Sequence, residues 1–315
     1  MVFRHPVGMF SPLWLLLWTD PNALIDAVKR SDSAGLLILE QGRAVAEYQP
    51  DKAVHVQSVS KPMLSLMAGC LRTDGKLPSI DVTLGETLPE LKNDPKGVVT
   101  MRQLMAHVSG IAAPVGQNGQ NTPEFKRLKD TRRFAFAQPM DAAPGTKYRY
   151  NNTGMILLGA MLERIAGEPA PKYLERRLFA PMGIRSAKWM KDGAGNAYGY
   201  MGLVISARDL VKLGQLVLEE GRWEGRQLVD AAWMRESSRQ VTYPAVSEKL
   251  GLVWMMESGE AGKEPLLIYH SGDGGNWLIV FPGLKVVAAR VRDSSSADSI
   301  EFPKLVYQQF RAAGR

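Results

Sequence analysis

The sequence predicts an α+β fold in which strands from both ends of the chain form one antiparallel sheet. β-rich runs occupy residues 35–48 near the start of the chain and residues 265–291 near its end. Between them, apolar residues recur at the three- and four-residue steps that are typical of helices. We therefore expect helices to flank the sheet, a mainly helical middle lobe at about residues 75–230, and a ligand cleft between lobe and sheet.

Turn and stop signals predict the first elements. Gln41-Gly42 separates two β-rich runs, which favours a hairpin. A helix is expected directly after Ser58 and stops at Gly75. Its apolar residues are Met63, Leu66, Met67, Cys70 and Leu71. The N-terminal part of the chain thus supplies a hairpin followed by a buried helix.

Cap residues mark the helices of the middle lobe. Thr100 is a preferred N-cap residue and predicts a short helix after it. Residues 111–146 have the composition of a region that is mostly loop. The next helix is expected to have Asn152 or Thr153 as its N-cap and to end at Gly167.

The last third of the chain contains one more lobe helix, three strands and a terminal helix. Ser206 is the expected N-cap of the lobe helix, with Asp209 at its third position, as in a capping box. The predicted strands are residues 265–272, 276–281 and 284–291. A Pro282-Gly283 turn separates the last two strands, and an amphipathic helix follows at about residues 299–312.

The composition is ordinary for a globular protein, with 45% hydrophobic and 23% charged residues. With 39 basic and 32 acidic residues the net charge is +7, but the basic residues lack the clustered stripe that nucleic-acid binding requires. A single cysteine, Cys70, excludes an intrachain disulfide, and the four histidines are scattered. We expect no nucleic-acid partner and no metal site.

Residues 1–21 are predicted to be a leader or a packed segment. Residues 10–18 are apolar, but they are far fewer than the roughly 20 residues that a membrane-spanning helix needs. Arg4 ahead of them is typical of a signal peptide, yet no clear small-residue cleavage site follows. We expect no stable membrane insertion, and the pattern suits either a cytoplasmic or an exported protein.

The stretch Ser58-Val59-Ser60-Lys61 is the first that can carry chemistry. A serine and a lysine three positions apart on a helix share one face, so the amine can reach the hydroxyl. Burial lowers the pKa of a lysine, and the neutral amine can then take the serine proton. The alternative interpretation is that these polar residues only cap a buried helix.

Tyr150-Asn151-Asn152, directly before a predicted helix, is the second polar element. A lysine ammonium beside a phenol favours its phenolate form, so Tyr150 could relay a proton. The alternative is an ordinary helix start in which the asparagine is only a cap.

The third polar element spans residues 270–276, between two apolar strands. Its glycines would let the backbone approach a ligand closely, with an N–H group aimed at a developing oxyanion. The alternative is a plain hairpin loop.

Taken together and in this order, the three elements resemble the serine beta-lactamase and penicillin-binding protein superfamily, whose signatures include S-x-x-K. The Y-x-N pattern resembles the middle motif of one branch of this superfamily. That branch contains class C beta-lactamases, D-alanyl-D-alanine carboxypeptidases and related esterases and amide hydrolases. Residues 99–111, 144–159 and 202–229 also resemble segments of this superfamily. The resemblance covers about residues 30–312 and implies a beta-lactamase-like domain at residues 22–315.

The resemblance implies a role for individual residues. Ser58 would be the acylated nucleophile and Lys61 its base. Tyr150 would move protons to the leaving group and help to activate the hydrolytic water. Asn152 would hydrogen-bond Lys61 and a substrate carbonyl, and the backbone N–H groups of Ser58 and Asp273 would form the oxyanion hole.

The third element departs from the lactamase pattern, because His270-Ser271-Gly272 stands in place of Lys-Thr-Gly. A permanent cation is thereby replaced by an imidazole that is mostly neutral near pH 7. In the lactamases and peptidases of the superfamily, that lysine helps to hold the substrate carboxylate. Its replacement favours esters or small amides over beta-lactams and peptidoglycan stems.

The sequence therefore predicts a serine hydrolase that forms an acyl-enzyme, with small esters as the favoured substrates and amides as a second class. No metal or organic cofactor is implied. One alternative is a beta-lactamase or D-amino-acid peptidase, and another is a non-catalytic binding module on the same fold. Residues 111–143 and 240–265 are expected to shape the substrate pocket.

Overall fold

The computed structural model describes residues 21–113, 125, 127–243, 250–258, 265–294, 296 and 298–313. The predicted leader therefore lies almost wholly outside the described residues, as do parts of the two stretches that were expected to shape the pocket. Within the described ranges, no helix has both the length and the apolar character needed to cross a bilayer.

Strands lie mainly near the two ends of the described chain, and most of the helices lie between them. The helices are α1 (Pro21–Arg30), α2 (Pro62–Thr73), α3 (Leu84–Thr87), α4 (Met101–Met105), α5 (Thr131–Ala137), α6 (Asn152–Ala166), α7 (Ala170–Leu174), α8 (Ala207–Leu218), α9 (Ala231–Ser237) and α10 (Phe302–Ala313). The strands are β1 (Ser33–Glu40), β2 (Arg43–Tyr48), β3 (Ala53–His55), β4 (Lys188–Trp189), β5 (Leu203–Ser206), β6 (Arg222–Trp223), β7 (Arg226–Gln227), β8 (Met255–Ser258), β9 (Pro265–Gly272), β10 (Asn276–Phe281) and β11 (Val286–Arg292).

A six-stranded antiparallel sheet joins the two ends of the chain, in the order β2-β1-β11-β10-β9-β8. The first strand pairs with the last, and Leu37 lies opposite Ala289. The predicted hairpin is present, because Gln41 and Gly42 both adopt the positive φ angles, 50° and 77°, that suit a tight two-residue turn. The prediction of one sheet built from both termini is therefore confirmed.

Both faces of this sheet are buried, since successive side chains of a strand point to opposite faces. Leu36 and Ile38 belong to a hydrophobic cluster that includes α1 and α10 on the outer face. Leu37 belongs to the larger cluster on the other face, where α8 and the helical lobe pack. In β10, Ile279 and Leu278 divide in the same way. This three-layer arrangement explains why the strands are continuously apolar in the sequence.

Several elements differ from the sequence expectations. The region of residues 111–146, expected to be mostly loop, contains helix α5. The small sheet β3-β5-β4, the ribbon β6-β7 and the edge strand β8 were not anticipated. All six of these strands have only two to four residues, too few for a period-two pattern to stand out.

The expected N-cap of α6 was wrong by one residue. Asn151 is the cap, since its Oδ1 accepts the backbone N–H of Gly154 at 3.0 Å. The expected cap was Asn152 or Thr153. Asn152 is instead the first helical residue. The end of the helix was predicted correctly, because Gly167 adopts the left-handed conformation there, with φ 76°.

Only half of the expected capping box at α8 forms. Ser206 is the N-cap, and its Oγ accepts the backbone N–H of Asp209 at 3.2 Å. The carboxylate of Asp209 turns elsewhere and accepts the backbone N–H groups of Arg185 and Ser186, at 2.9 and 2.8 Å. The carboxylate of Asp209 therefore anchors the loop before β4 instead of completing the capping box.

Helix α2, which follows the predicted nucleophile, packs closely against α9 at Gly69. A Cβ at Gly69 would lie only 2.3 Å from Cδ1 of Trp233 and 2.4 Å from Cγ1 of Val229. The indole cannot easily move, because its Nε1–H donates to the carbonyl of Ser65 at 2.9 Å. The contact fixes where α2 lies relative to the rest of the lobe.

We expect Gly69→Ala to destabilise the protein by about 1–3 kcal/mol, because the added methyl group overpacks the contact with Trp233. Gly159 offers a matched control, since it is also buried in a helix but a Cβ there would have its nearest neighbours at 3.9 Å. Gly159→Ala should be neutral or stabilise by up to about 1 kcal/mol. Urea unfolding measures both, and equal effects would contradict this account of the packing.

Candidate active site

Ser58 lies on a single 3₁₀ turn, Gln57–Ser60, directly before α2. Its side chain is half-buried, so its hydroxyl can still meet a small molecule. Ser60 has a structural role, because its Oγ donates to the carbonyl of Gln57 at 2.6 Å and accepts the backbone N–H of Leu203 at 3.0 Å. The two serines of the motif therefore do different work, and the second one ties the turn to β5.

Lys61 is fully buried, with 0% of its surface exposed. Its Nζ donates to Ser58 Oγ at 2.9 Å and to the carbonyl oxygen of Tyr200 at 2.8 Å. Burial lowers the pKa of Lys61 well below its ordinary value, because the ammonium loses its hydration. In the neutral form, one N–H can stay on the Tyr200 carbonyl while the lone pair accepts the proton of Ser58.

The phenol of Tyr150 is hydrogen-bonded to Ser58, and the Lys61 Nζ lies 4.8 Å from the centre of its ring. The structure thus brings the three predicted catalytic side chains together. Burial raises the pKa of Tyr150 above its ordinary value. This direction opposes the expected phenolate, because the loss of hydration outweighs the hydrogen bond with Ser58, which lowers the pKa. A protonated phenol is suited to donate a proton.

His107 holds Tyr150 in place and was missed by the sequence analysis. Its carbonyl accepts the backbone N–H of Arg149 at 2.9 Å, and its Nδ1 accepts that of Asn151 at 3.1 Å. The imidazole and phenol rings lie 4.8 Å apart with a tilt of 31°. The backbone on both sides of Tyr150 and its ring are therefore held by one buried residue, through its carbonyl and its imidazole.

The sequence contains a signal for the role of His107 but none for that of Tyr200. His107 lies inside the segment of residues 99–111 that resembles the superfamily, so its position was a usable signal. Its φ angle of 56° could not be predicted from the sequence, since non-glycine residues rarely adopt positive values. Tyr200 contributes a backbone oxygen, which every residue carries, and no sequence pattern singles it out.

The third predicted element lies at the end of β9, and its histidine is buried. His270 is 1% exposed, and its Nδ1 donates to the carbonyl of Ser271 at 2.8 Å. Burial, followed by the charge of Lys61, lowers the pKa of His270 to about 3. The imidazole therefore supplies no cation at neutral pH. Ser271 is half-buried in the strand, and Asp273 is exposed just beyond it.

Gly272 brings this strand end against the segment that leads into Ser58. A Cβ at Gly272 would lie 2.3 Å from the carbonyl oxygen of Val56 and 3.2 Å from Cβ of Gln57. Only glycine permits this approach. The backbone of Gly272 and Asp273 is thereby held next to the nucleophile turn.

Asn152, the remaining predicted site residue, is 7% exposed at the first position of α6, directly after the segment that carries Tyr150. Its hydrogen bond to Lys61 and its contact with a substrate carbonyl stay predictions.

The beta-lactamase family model matches residues 22–298 of the chain. Esterase EstB of Burkholderia gladioli is 29% identical over 167 residues, which are 48% of this chain and 41% of that esterase. Penicillin-binding protein 4 of Amycolatopsis lactamdurans is 25% identical over 306 residues, 83% of this chain and 77% of that protein. The chain spans about two fifths of the length of the esterase and of several other curated relatives.

Solved structures give the same result for the fold. EstCE1, described as a hydrolase with promiscuous acyltransferase activity, superimposes with a TM-score of 0.73 at 16% identity. The match covers 92% of this chain and 99% of that structure. At this identity the likeness concerns the fold alone.

The two buried histidines predict that acid destabilises the protein. The pKa of His107 and of His270 is lowered from 6.5 to about 3, so between these values only the unfolded state binds their protons. The contribution of the two histidines to the free energy of unfolding is therefore fully present above pH 6.5 and falls below it, by about 2.7 kcal/mol per pH unit for the pair.

His107→Asn tests this expectation, because asparagine keeps an acceptor for the Asn151 N–H and tolerates a positive φ. The variant should lose about half of the histidine contribution to the slope, about 1.4 kcal/mol per pH unit. Urea unfolding of both proteins at pH 7, 6 and 5 measures the slopes, and identical slopes would contradict the assignment.

Proposed function

The chain belongs to the beta-lactamase family, and on that premise we propose that it is a serine hydrolase that cleaves small carboxylic esters through an acyl-enzyme. The observation that carries the proposal is the contact of 2.9 Å between Lys61 Nζ and Ser58 Oγ, with the Tyr150 phenol on the same serine. A base and an acid on one hydroxyl are what acyl transfer needs.

Acylation begins when the neutral Lys61 amine removes the proton of Ser58. The serine oxygen attacks the ester carbonyl carbon, and the negative charge moves to the carbonyl oxygen. Collapse of this tetrahedral intermediate breaks the bond to the alcohol, which leaves with the proton of the Tyr150 phenol. The Lys61 ammonium returns its proton to Tyr150, so both groups end neutral and the acyl group stays on Ser58.

Deacylation repeats these steps with water as the nucleophile. The neutral Lys61 amine takes the proton of the attacking water through the Tyr150 phenol, and the carboxylic acid leaves as the Lys61 ammonium returns a proton to Ser58. In both halves, the N–H groups of Ser58 and Asp273 are the proposed oxyanion donors. Such preorganised donors are worth several kcal/mol in the transition state, roughly 10²–10³ in rate for each. Asn152 is proposed to orient Lys61 and the substrate carbonyl.

Two observations support esters as the substrate class. His270 is neutral because burial lowers its pKa to about 3, so the site has no cation at this position for a substrate carboxylate. Simple esters carry no such carboxylate. A curated relative is also named an esterase. Small amides are the second class, since the same acyl-enzyme can form from them.

Ser58→Ala should lower turnover of p-nitrophenyl acetate by at least about 10³-fold, and Lys61→Met by about 10²–10⁴-fold, because they remove the nucleophile and its base. A fluorophosphonate should label Ser58 in the unaltered protein. Ser60→Ala is the matched control on the same turn, and it should lose stability but still be labelled. Retained ester turnover in Ser58→Ala would disprove the proposal.

A substrate panel tests the ester preference. We expect short p-nitrophenyl esters to be cleaved at least about tenfold faster than a chromogenic cephalosporin, whose carboxylate finds no cation at His270. They should also be cleaved faster than a D-alanine anilide, because an amide carbonyl is less reactive towards a nucleophile than an activated ester. Comparable turnover of the cephalosporin would indicate a beta-lactamase instead. If no substrate or probe acylates Ser58, the chain is a non-catalytic binding module.

A further inference from the structure

Two arginines at the end of β11 are buried, with Arg290 0% and Arg292 3% exposed. A buried charge costs free energy unless its donors are satisfied. Arg290 binds both carboxylate oxygens of Asp298, at 2.8 and 2.9 Å, and the hydroxyls of Ser33 and Ser31, at 2.7 and 2.9 Å. These partners tie the C-terminal segment to the start of β1, so Arg290 has a structural role.

Arg292 also contacts the turn between β9 and β10. Its Nη1 donates to the carbonyl of Gly274 at 2.7 Å, and its backbone N–H donates to Oδ1 of Asn276 at 2.8 Å. Asn276 in turn donates from Nδ2 to the carbonyl of Asp273 at 3.1 Å. Its other guanidinium bonds, to Ser31 and Ser296, hold the arginine itself. The turn is therefore held at two consecutive carbonyls.

The turn links this arginine to the proposed oxyanion donor through two peptide groups. The carbonyl and the N–H of a trans peptide point in opposite directions. Gly274 accepts from Arg292 on one side, and the Gly275 N–H of the same peptide donates to the Gly272 carbonyl at 3.1 Å. That carbonyl shares its peptide with the Asp273 N–H, which must then point away from Gly275.

Glycine makes this chain of peptide groups sterically accessible. Gly274 and Gly275 have φ angles of 79° and 93°. Residues with a Cβ atom rarely adopt such angles. A Cβ at Gly275 would also lie 2.5 Å from the carboxylate of Asp298. A series of hydrogen bonds therefore connects the Arg292 guanidinium with the Gly274–Gly275 peptide and then with the Gly272–Asp273 peptide. The last group in this series is the Asp273 N–H.

We propose that Arg292 is a positioning residue of the oxyanion hole, which orients and polarises the Asp273 N–H through these two peptide groups. The proposal rests on the proposed function. A hydrogen bond from a charged donor is stronger than a neutral one, and successive bonds in a chain polarise one another. The benefit appears only when negative charge develops on the substrate oxygen. It therefore acts on kcat and leaves ground-state binding nearly unchanged.

The test compares Arg292→Gln and Arg292→Lys with Arg290→Lys, a matched control that is equally buried on the same strand but makes no hydrogen bond to the turn. With p-nitrophenyl acetate, Arg292→Gln should lower kcat by about tenfold or more while KM stays within about twofold. Arg292→Lys keeps a cation and should recover part of the loss. Arg290→Lys should lose stability in urea but keep kcat.

A spectroscopic readout separates polarisation from a general loss of structure. The acyl-enzyme carbonyl, labelled with ¹³C, should absorb at a higher infrared frequency in Arg292→Gln, because a weaker oxyanion donor polarises it less. An unchanged kcat and an unchanged band in folded Arg292→Gln would overturn the proposal.

Two further outcomes are also decisive. If neither Arg292 variant folds, Gly274→Ala on the more exposed turn replaces them, since a Cβ strains the positive φ and displaces the Gly274–Gly275 peptide; an unchanged kcat there would overturn the proposal. If the unaltered protein shows no Ser58-dependent turnover, the proposed function itself fails. An active unaltered protein with unaffected variants overturns only the role of Arg292.

Discussion

The burial of the Lys61 amine is the constraint on which the rest of the site depends. An ammonium without water is costly, so the fold favours the neutral amine and gives it the Tyr200 carbonyl as a fixed partner. The same loss of hydration raises the pKa of Tyr150 and lowers those of His107 and His270. One physical condition, a poorly hydrated interior beside an accessible serine, thus sets the protonation of the neighbouring groups.

The fold holds this interior together by joining distant parts of the chain at the ends of regular elements. Ser58 precedes α2, Tyr150 precedes α6, and Gly272 ends β9. Side chains at such positions are fixed by the packing of the elements but are still open to a ligand. Close backbone contact at Gly272 then couples the sheet to the nucleophile turn. The site is therefore as rigid as the contact between the layers.

The sequence predicted five of the six strands of the large sheet and five of the ten described α-helices, because apolar spacing and glycine stops are local signals. It predicted the three polar elements because each is a short, contiguous motif that can be recognised locally. It did not distinguish Asn151 from Asn152 as the cap of α6, since both are good cap residues and only the backbone path decides. The protonation of Tyr150 and the contribution of the Tyr200 carbonyl depend on burial and on long-range packing. A linear sequence carries no direct record of either.

Pairing of the first strand with the last also has a consequence for how the protein is made. Strand β1 has β2 on one side and β11 on the other, more than 240 residues later in the chain. While the ribosome is still synthesising the middle lobe, one apolar edge of β1 has no partner. Contacts of such high sequence separation form slowly, and an exposed strand edge invites aggregation. Until the C-terminal strands emerge, this edge of β1 is therefore open to pairing with other extended segments.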